Sequence, residues 1–168
     1  MSLRFVRPSA DLAGSFAAMR DAFLSVGEDH WTGEDQEIAH QDAVAYAEAL
    51  RDWSEGRNLP PNRMPFDAFW IVKGDVVVAQ CGVRHPLTPK LEAFGGNVSY
   101  EVHPTHRSRG IATFALREAL AFLGSKGVAE ALITCAHDNA ASIRVIEKCG
   151  GRRIEDTTRR RYLVPTAG

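Results

Sequence analysis

The stretch Gly95–Gly127, GGNVSYEVHPTHRSRGIATFALREALAFLGSKG, constrains the fold more than any other part of the chain. Asn97 to Val102 reads as a strand and the residues around Arg107 as a short basic loop. The helix after it opens near Gly110, with Ile111, Ala115, Ala119 and Phe122 on one face and Leu116, Leu120 and Leu123 beside them. A helix start leaves several N–H groups without intrahelical partners, and the aligned peptide dipoles add partial positive charge there. Gly110 lets a ligand approach the backbone more closely than a Cβ would permit. Arg107, Ser108, Arg109 and Gly110 thus read as an anion site, with a pyrophosphate as its ligand. A plain strand-to-helix turn without a ligand carries the same three parts.

Composition narrows the class. A chain of 168 residues, 45% hydrophobic and 24% charged, suits one soluble domain with one sizeable core. No run approaches eighteen apolar residues and the N-terminus lacks a secretory pattern, so a cytoplasmic address with no membrane partner is expected. Cys81, Cys135 and Cys149, an odd number with no Cys-x-x-Cys spacing, are expected to be reduced and mostly buried. Residues 1–64 carry 6 basic and 11 acidic side chains, whereas residues 65–168 carry 14 and 10. The anion-handling part is the C-terminal one. The arginines from Arg152 to Arg161 have no interleaved aromatic before Tyr162, which favours a solvated strand pair over nucleic-acid binding.

In order, Leu3–Arg7 reads as a strand ended by Pro8. Ser9 or Asp11 can cap a first helix carrying Leu12, Phe16, Met19, Phe23 and Leu24. A second helical pattern runs from Asp35 to about Gly56, with Ile38, Val44, Ala45, Ala49, Leu50 and Trp53 on its buried side. The acidic connector Gly27–Gly33 could shape a substrate pocket or be an ordinary solvated loop. Phe66 to Val72 and Val76 to Val83 form a hairpin about Lys73-Gly74-Asp75. His85, beside a proline, reads as exposed. Ala131 to Ala136 has the unbroken apolar character of a buried strand. A final hairpin turns around Asp156-Thr157-Thr158.

The segment Asp138–Gly151 is the second telling stretch. Asp138 or Asn139 can cap a helix whose Ile143 and Ile146 face inward and which Gly150 ends. Arg107-Ser108-Arg109-Gly110-Ile111-Ala112 resembles motif A of the GNAT superfamily of acetyl-CoA-dependent N-acetyltransferases. Asn139 with the closing Glu147-Lys148-Cys149-Gly150-Gly151 resembles its motif B. The pattern is similar to a bacterial branch of predicted acetyltransferases in which a Gly-Gly-x-x-x-Tyr strand precedes motif A.

The resemblance covers essentially the whole chain and implies an α/β (α+β) GNAT fold over residues 1–168. That fold is a mixed, mostly antiparallel central sheet of about seven strands, splayed at its centre and flanked by about four helices. It implies acetyl-CoA as cosubstrate, no metal, and direct acetyl transfer to a primary amine; the acidic N-terminal half favours a cationic small molecule as the acceptor. A homodimer is compatible with it. The backbone of Tyr100, Glu101 and Val102 would pair with the pantetheine arm. Amides from Arg107 through Ser108, Arg109, Gly110 and Ile111 to Ala112 would cradle the pyrophosphate. Asn139 and Ser142 would meet the pantetheine or the reacting centre.

Glu101 is the first choice for the base, through a water, because a carboxylate in a mostly apolar strand should have a raised pKa; an arginine-paired structural Glu is the alternative. His137 and His103 are lesser candidates. The chain departs from the superfamily pattern at Ile146, where many members carry an acidic tyrosine, and at Thr134, where some place a glutamate. Tyr100 or Tyr162 could supply the missing donor. A catalytically silent acyl-CoA binder, an interaction module and a protein N-acetyltransferase are the alternatives.

Overall fold

Among residues 2–166, which the computed structural model describes, seven strands divide into two sheets. One sheet has the order β1-β2-β3-β4, formed by Leu3–Val6, Asp67–Lys73, Val76–Val83 and Val98–Val102. The other has the order β5-β7-β6, from Glu130–Cys135, Arg160–Pro165 and Arg152–Arg153. The β1–β2, β5–β7 and β6–β7 ladders are antiparallel, with Phe5 opposite Ile71 and Ile133 opposite Tyr162. The helices are α1 (Ala13–Ser25), α2 (Ile38–Gln41), α3 (Ala43–Ser54), α4 (Ile111–Ser125) and α5 (Ala140–Lys148). The backbone gathers into two units. The first is the chain up to Gln80 with Glu101–Ile111, and the second is Cys81–Tyr100 with the chain from Ala112 onward.

The first unit has an aromatic core. Phe16 of α1 stacks on Trp70 of β2 with ring centroids 4.9 Å apart and meets Trp31 edge-on at 5.5 Å and Tyr46 at 5.3 Å. Met19, Phe23, Leu50 and Trp53 close the same cluster. Each fully buried side chain of this size contributes about 1.5–3 kcal/mol, so this cluster holds α1 and α3 on the sheet. A second continuous helix from Asp35 to Gly56 does not form. Asp42 takes an extended backbone, φ −153° and ψ 98°, and its carboxylate accepts the Ala45 amide at 3.0 Å. Asp competes with the helix for backbone donors and is stable as a cap, so it ends α2 and starts α3. The new start puts Tyr46, Ala47, Leu50 and Trp53 inward and leaves Val44 exposed. The first helix also begins later than either expected cap: Ser9 precedes a short 3-10 turn and makes no capping bond.

In the second unit α4 buries Ala115, Leu116, Ala119, Leu120 and Leu123, while β5 buries Ala131, Leu132 and Ile133. Phe122 is half-buried, with the Lys126 ammonium 5.3 Å from its ring centroid. Residues Leu91–Gly95 make a single π-helical turn. The three cysteines are free, Cys81 and Cys135 buried and Cys149 half-buried. No helix of the described residues is long and apolar enough to cross a membrane.

Candidate active site

β4 is the outer strand of its sheet, so one side of its main chain has no ladder partner there. The Arg84 amide donates to the Asn97 carbonyl at 2.8 Å and the His103 amide to the Val78 carbonyl at 2.9 Å. Antiparallel alternation between these bonds turns the peptide groups of Ser99 and Glu101 toward β3 and those of Val98, Tyr100 and Val102 outward. Of the three residues expected to meet the pantetheine through backbone, Tyr100 and Val102 present this outward edge. Glu101 instead offers its side chain, whose Oε2 accepts from Gln80 Nε2 at 3.0 Å. The buried Tyr46 phenol lies within its field; burial first, then the Glu101 charge, pushes that phenol well above its ordinary pKa.

One end of β4 is closed by a residue that the sequence did not single out. Asn97, 4% exposed, accepts the Leu132 amide on Oδ1 at 2.7 Å and donates from Nδ2 to the Arg84 carbonyl at 2.8 Å. Its own amide donates to the Leu132 carbonyl at 2.7 Å. One side chain thus joins β3 to β5 across β4. Gly96 just before it has φ 67°, and a Cβ there would run into the Leu132 carbonyl oxygen. The Gly-Gly pair was the only sequence signal near this joint, and it reads equally as a turn.

At the other end of β4 the chain makes a 3-10 turn, Pro104–His106, capped by His103 Nδ1, which accepts the Thr105 amide at 3.2 Å. Ser108 and Gly110 then take left-handed backbone, φ 61° and 80°. Such reversals aim successive N–H groups to one side and form an anion-binding concavity. Arg107 to Gly110 are exposed, while Ile111, 4% exposed, anchors the start of α4. A Cβ on Gly110 would meet nothing within 4 Å, so the space before the loop is open. The Arg107 guanidinium turns elsewhere: it pairs with Glu28 at 2.5 Å, donates to the Val102 carbonyl at 3.3 Å and lies 5.8 Å from the Phe23 ring centroid. These contacts brace the loop. His103 and His106 lie with ring centroids 4.8 Å apart. Burial lowers both pKa values, reinforced at His103 by His106 and Arg107 and at His106 by Arg109 and Lys73.

On α5, Asn139 is the cap; its Oδ1 accepts the Ser142 amide at 3.1 Å. That fixes Ser142 in the first turn, where its hydroxyl lies 3.0 Å from the Tyr100 hydroxyl. Burial raises the Tyr100 pKa to about 12, so the phenol keeps its proton and can donate. Cys135 at the end of β5 shares this neighbourhood: burial pushes its thiol pKa up, and the Arg159 and Arg160 charges and then Ser142 pull it back down. Tyr100, Ser142 and Cys135 form one cluster within the second unit. Ile146, one turn below Ser142, is fully buried. Tyr162 is buried too, its hydroxyl 3.4 Å from Glu147 Oε1. The Thr134 hydroxyl donates to the Phe94 carbonyl and accepts Arg159 Nε. Exposed His137 is 3.9 Å from Asp156 and has no contact with this cluster among the described residues.

Within the first unit the exposed turn offers main-chain amides of the kind that hold a phosphate; within the second, a strand hydroxyl and a helix hydroxyl 3.0 Å apart can pass a proton. The chain's architecture recurs in solved proteins. Mycobacterium smegmatis RimJ, in complex with CoA-disulfide, superposes with a TM-score of 0.66 at 20% identity, covering 96% of this chain and 80% of that one. RimL, a ribosomal L7/L12 alpha-N-protein acetyltransferase with coenzyme A joined to one of its cysteines by a disulfide, gives 0.69 at 11% identity, covering 100% and 97%. YncA of Salmonella typhimurium, with its cofactor acetyl-CoA, gives 0.60 at 16% identity, covering 97% and 91%. These likenesses establish the fold. No curated protein matches the chain in sequence. The model of the acetyltransferase (GNAT) domain matches residues 2–152, nearly the whole length, and the chain belongs to the GNAT acetyltransferase family.

Proposed function

We propose that the chain transfers the acetyl group of acetyl-CoA directly to a primary amine. The observation that carries this reading is the exposed Arg107–Gly110 turn, whose two left-handed residues open α4. In this scheme its amides hold the pyrophosphate, with Ile111 and Ala112 extending the cradle into the helix. The outward peptide groups of Tyr100 and Val102 receive the pantetheine as an added strand, and Asn139 holds Ser142 against it.

The acceptor amine must reach the thioester carbon unprotonated, and Glu101 takes its proton through a water. The nitrogen lone pair attacks, the carbonyl oxygen gains charge beside main-chain donors, and the C–S bond breaks as the carbonyl re-forms. Ser142 gives its hydroxyl proton to the departing thiolate, Tyr100 replenishes it across the 3.0 Å contact, and the second proton, shed by the acylated nitrogen, returns through solvent to the Tyr100 oxygen. Strand alternation places the Tyr100 and Glu101 side chains on opposite faces of β4, so proton donor and acceptor are kept apart. RimL acts on a protein α-amine and YncA is bound to acetyl-CoA; both support amine acetylation without choosing between protein and small-molecule acceptors. A silent acyl-CoA binder is the second reading, favoured by the buried Ile146.

Isothermal titration with acetyl-CoA, followed by thiol release over an amine panel, tests both. Binding with turnover supports the transferase, binding without turnover the silent binder, and no binding removes the proposal.

A further inference from the structure

We propose that Arg159 is an anchor for a carboxylate carried by the acceptor, a subsite beside Thr134 on β5. The inference rests on the transferase reading above. The Arg159 guanidinium is held at two places within the second unit. Its Nε donates to Thr134 Oγ1 at 3.1 Å, and its Cζ lies over the Phe94 ring, 4.7 Å from the centroid. Both supports are themselves fixed: Thr134 donates to the Phe94 carbonyl, and Thr157 Oγ1 donates to the Ala93 carbonyl at 2.7 Å. The Thr134 hydroxyl therefore has its donor and an acceptor site committed, and it acts as a brace for the arginine.

The Nη groups of Arg159 meet no carboxylate, carbonyl or hydroxyl among the described residues. Arg153, by contrast, is satisfied by Asp156 at 2.6 Å. A half-buried guanidinium, stacked and bonded on one side with two η nitrogens left over, is a preorganised fork for a planar anion. Phe94, 57% exposed, leaves ring surface beside that fork for the carbon skeleton of a ligand.

Position ties the fork to the reaction. Cys135 and Thr134 are neighbours on β5, so their side chains point to opposite faces. The Arg159 charge and Ser142 both act on the Cys135 thiol, and Ser142 lies 3.0 Å from the Tyr100 hydroxyl, so the fork and the assigned proton donors flank the same end of β5. In this proposal the amine arrives from the side where Thr134 holds Arg159. A carboxylate on the acceptor then meets the fork while its amine meets the thioester.

The full chain with acetyl-CoA is assayed by thiol release on matched acceptors. One arm compares free amino acids with their amides. The other compares C-terminally amidated peptides that begin with an acidic residue or with its neutral amide counterpart. The arms tell a small-molecule carboxylate from a peptide one. The expected result is a preference of about 10- to 100-fold in kcat/KM for the carboxylate member in at least one arm, expressed mainly in KM. Arg159→Gln should abolish the preference, Arg159→Lys should retain part of it, and acetyl-CoA affinity by titration should be unchanged in both. Wild-type turnover that ignores the carboxylate in both arms overturns the proposal, even if the variants fail to fold. So does an Arg159→Gln variant that lowers turnover of both members equally. A chain that binds no acetyl-CoA overturns the transferase reading, and this inference with it.

Discussion

Replacing Asn97 by alanine tests whether the joint at the start of β4 is held by one side chain. Asn97→Ala leaves the main-chain ladder bonds of residue 97 in place but orphans two other groups: the Leu132 N–H, bonded at 2.7 Å, and the Arg84 carbonyl, bonded at 2.8 Å. Water has little access to a site whose side chain is 4% exposed, so neither group is readily re-satisfied. At about 1–3 kcal/mol for each unsatisfied buried group, the variant loses roughly 2–6 kcal/mol. For a chain of this length that lowers the melting midpoint by roughly 4–24 °C. Urea unfolding followed by far-UV circular dichroism and by tryptophan fluorescence measures it. Asn97→Asp adds a sign test. An aspartate oxygen replaces Nδ2 against the Arg84 carbonyl, so the folded state favours the protonated acid and raises its pKa above the unfolded value. The variant should thus sit nearest wild-type stability at low pH and fall away as pH rises through the folded pKa. A loss below about 1 kcal/mol for Asn97→Ala, or no pH trend for Asn97→Asp, would refute the idea that this side chain carries the joint.

Gly96→Ala should cost at least about 2 kcal/mol by thermal melting, because φ 67° is unfavourable for alanine and its Cβ meets a carbonyl oxygen. Ser142→Ala should lower kcat about 100-fold with little change in acetyl-CoA affinity, and Tyr100→Phe less, about 10-fold. Because the Tyr100 pKa is about 12, the alkaline limb of a wild-type pH profile should persist in Tyr100→Phe; its disappearance would contradict the assigned protonation. His103 and His106 have folded pKa values below 6.5, so the unfolded chain binds more protons between those values and 6.5, and stability should rise with pH across that window. A His103→Asn, His106→Asn variant should show a flatter dependence in denaturation at pH 5 to 7.

What could be read beforehand was whatever is local. The spacing of Ile111, Ala115, Leu116, Ala119, Leu120 and Leu123 predicts a one-sided helix, and α4 buries these positions. The turn at Arg107 to Gly110 was legible because a glycine just ahead of the apolar spacing marks where α4 begins, and Gly110 does take a left-handed backbone, φ 80°. Asp42 illustrates the first kind of failure. Apolar spacing runs through it, and only the capping bond to Ala45 reveals the break. Asn97, Arg159 and the Tyr100–Ser142 pair illustrate the second. Their partners lie 35, 25 and 42 residues away, and no local pattern distinguishes a buried bridging asparagine from a turn asparagine. The arginines of β6 and β7 read as a solvated pair of strands, and Arg153 fits that reading. Arg159 departs from it only because Thr134 and Phe94 meet it in space.

The missing tyrosine also has a packing explanation. Residues 142 and 146 are one helical turn apart and lie on the same side of α5. Ile146 is fully buried there, and even the close approach of Gly151 depends on that residue's lacking a Cβ, which would stand 2.6 Å from Ile146 Cγ2. A phenol ring at 146 would have to displace this packing at a cost of about 1–3 kcal/mol or more. In the mechanism proposed above, the proton donor on α5 sits one turn earlier, at Ser142, where the Asn139 cap orders the backbone. A serine in that role needs its proton replaced, and the Tyr100 hydroxyl on β4 lies 3.0 Å from it. The two positions are coupled by this division, so the double variant Tyr100→Phe, Ser142→Ala should be no slower than Ser142→Ala alone. Independent, multiplicative losses in kcat would show instead that each hydroxyl acts by itself.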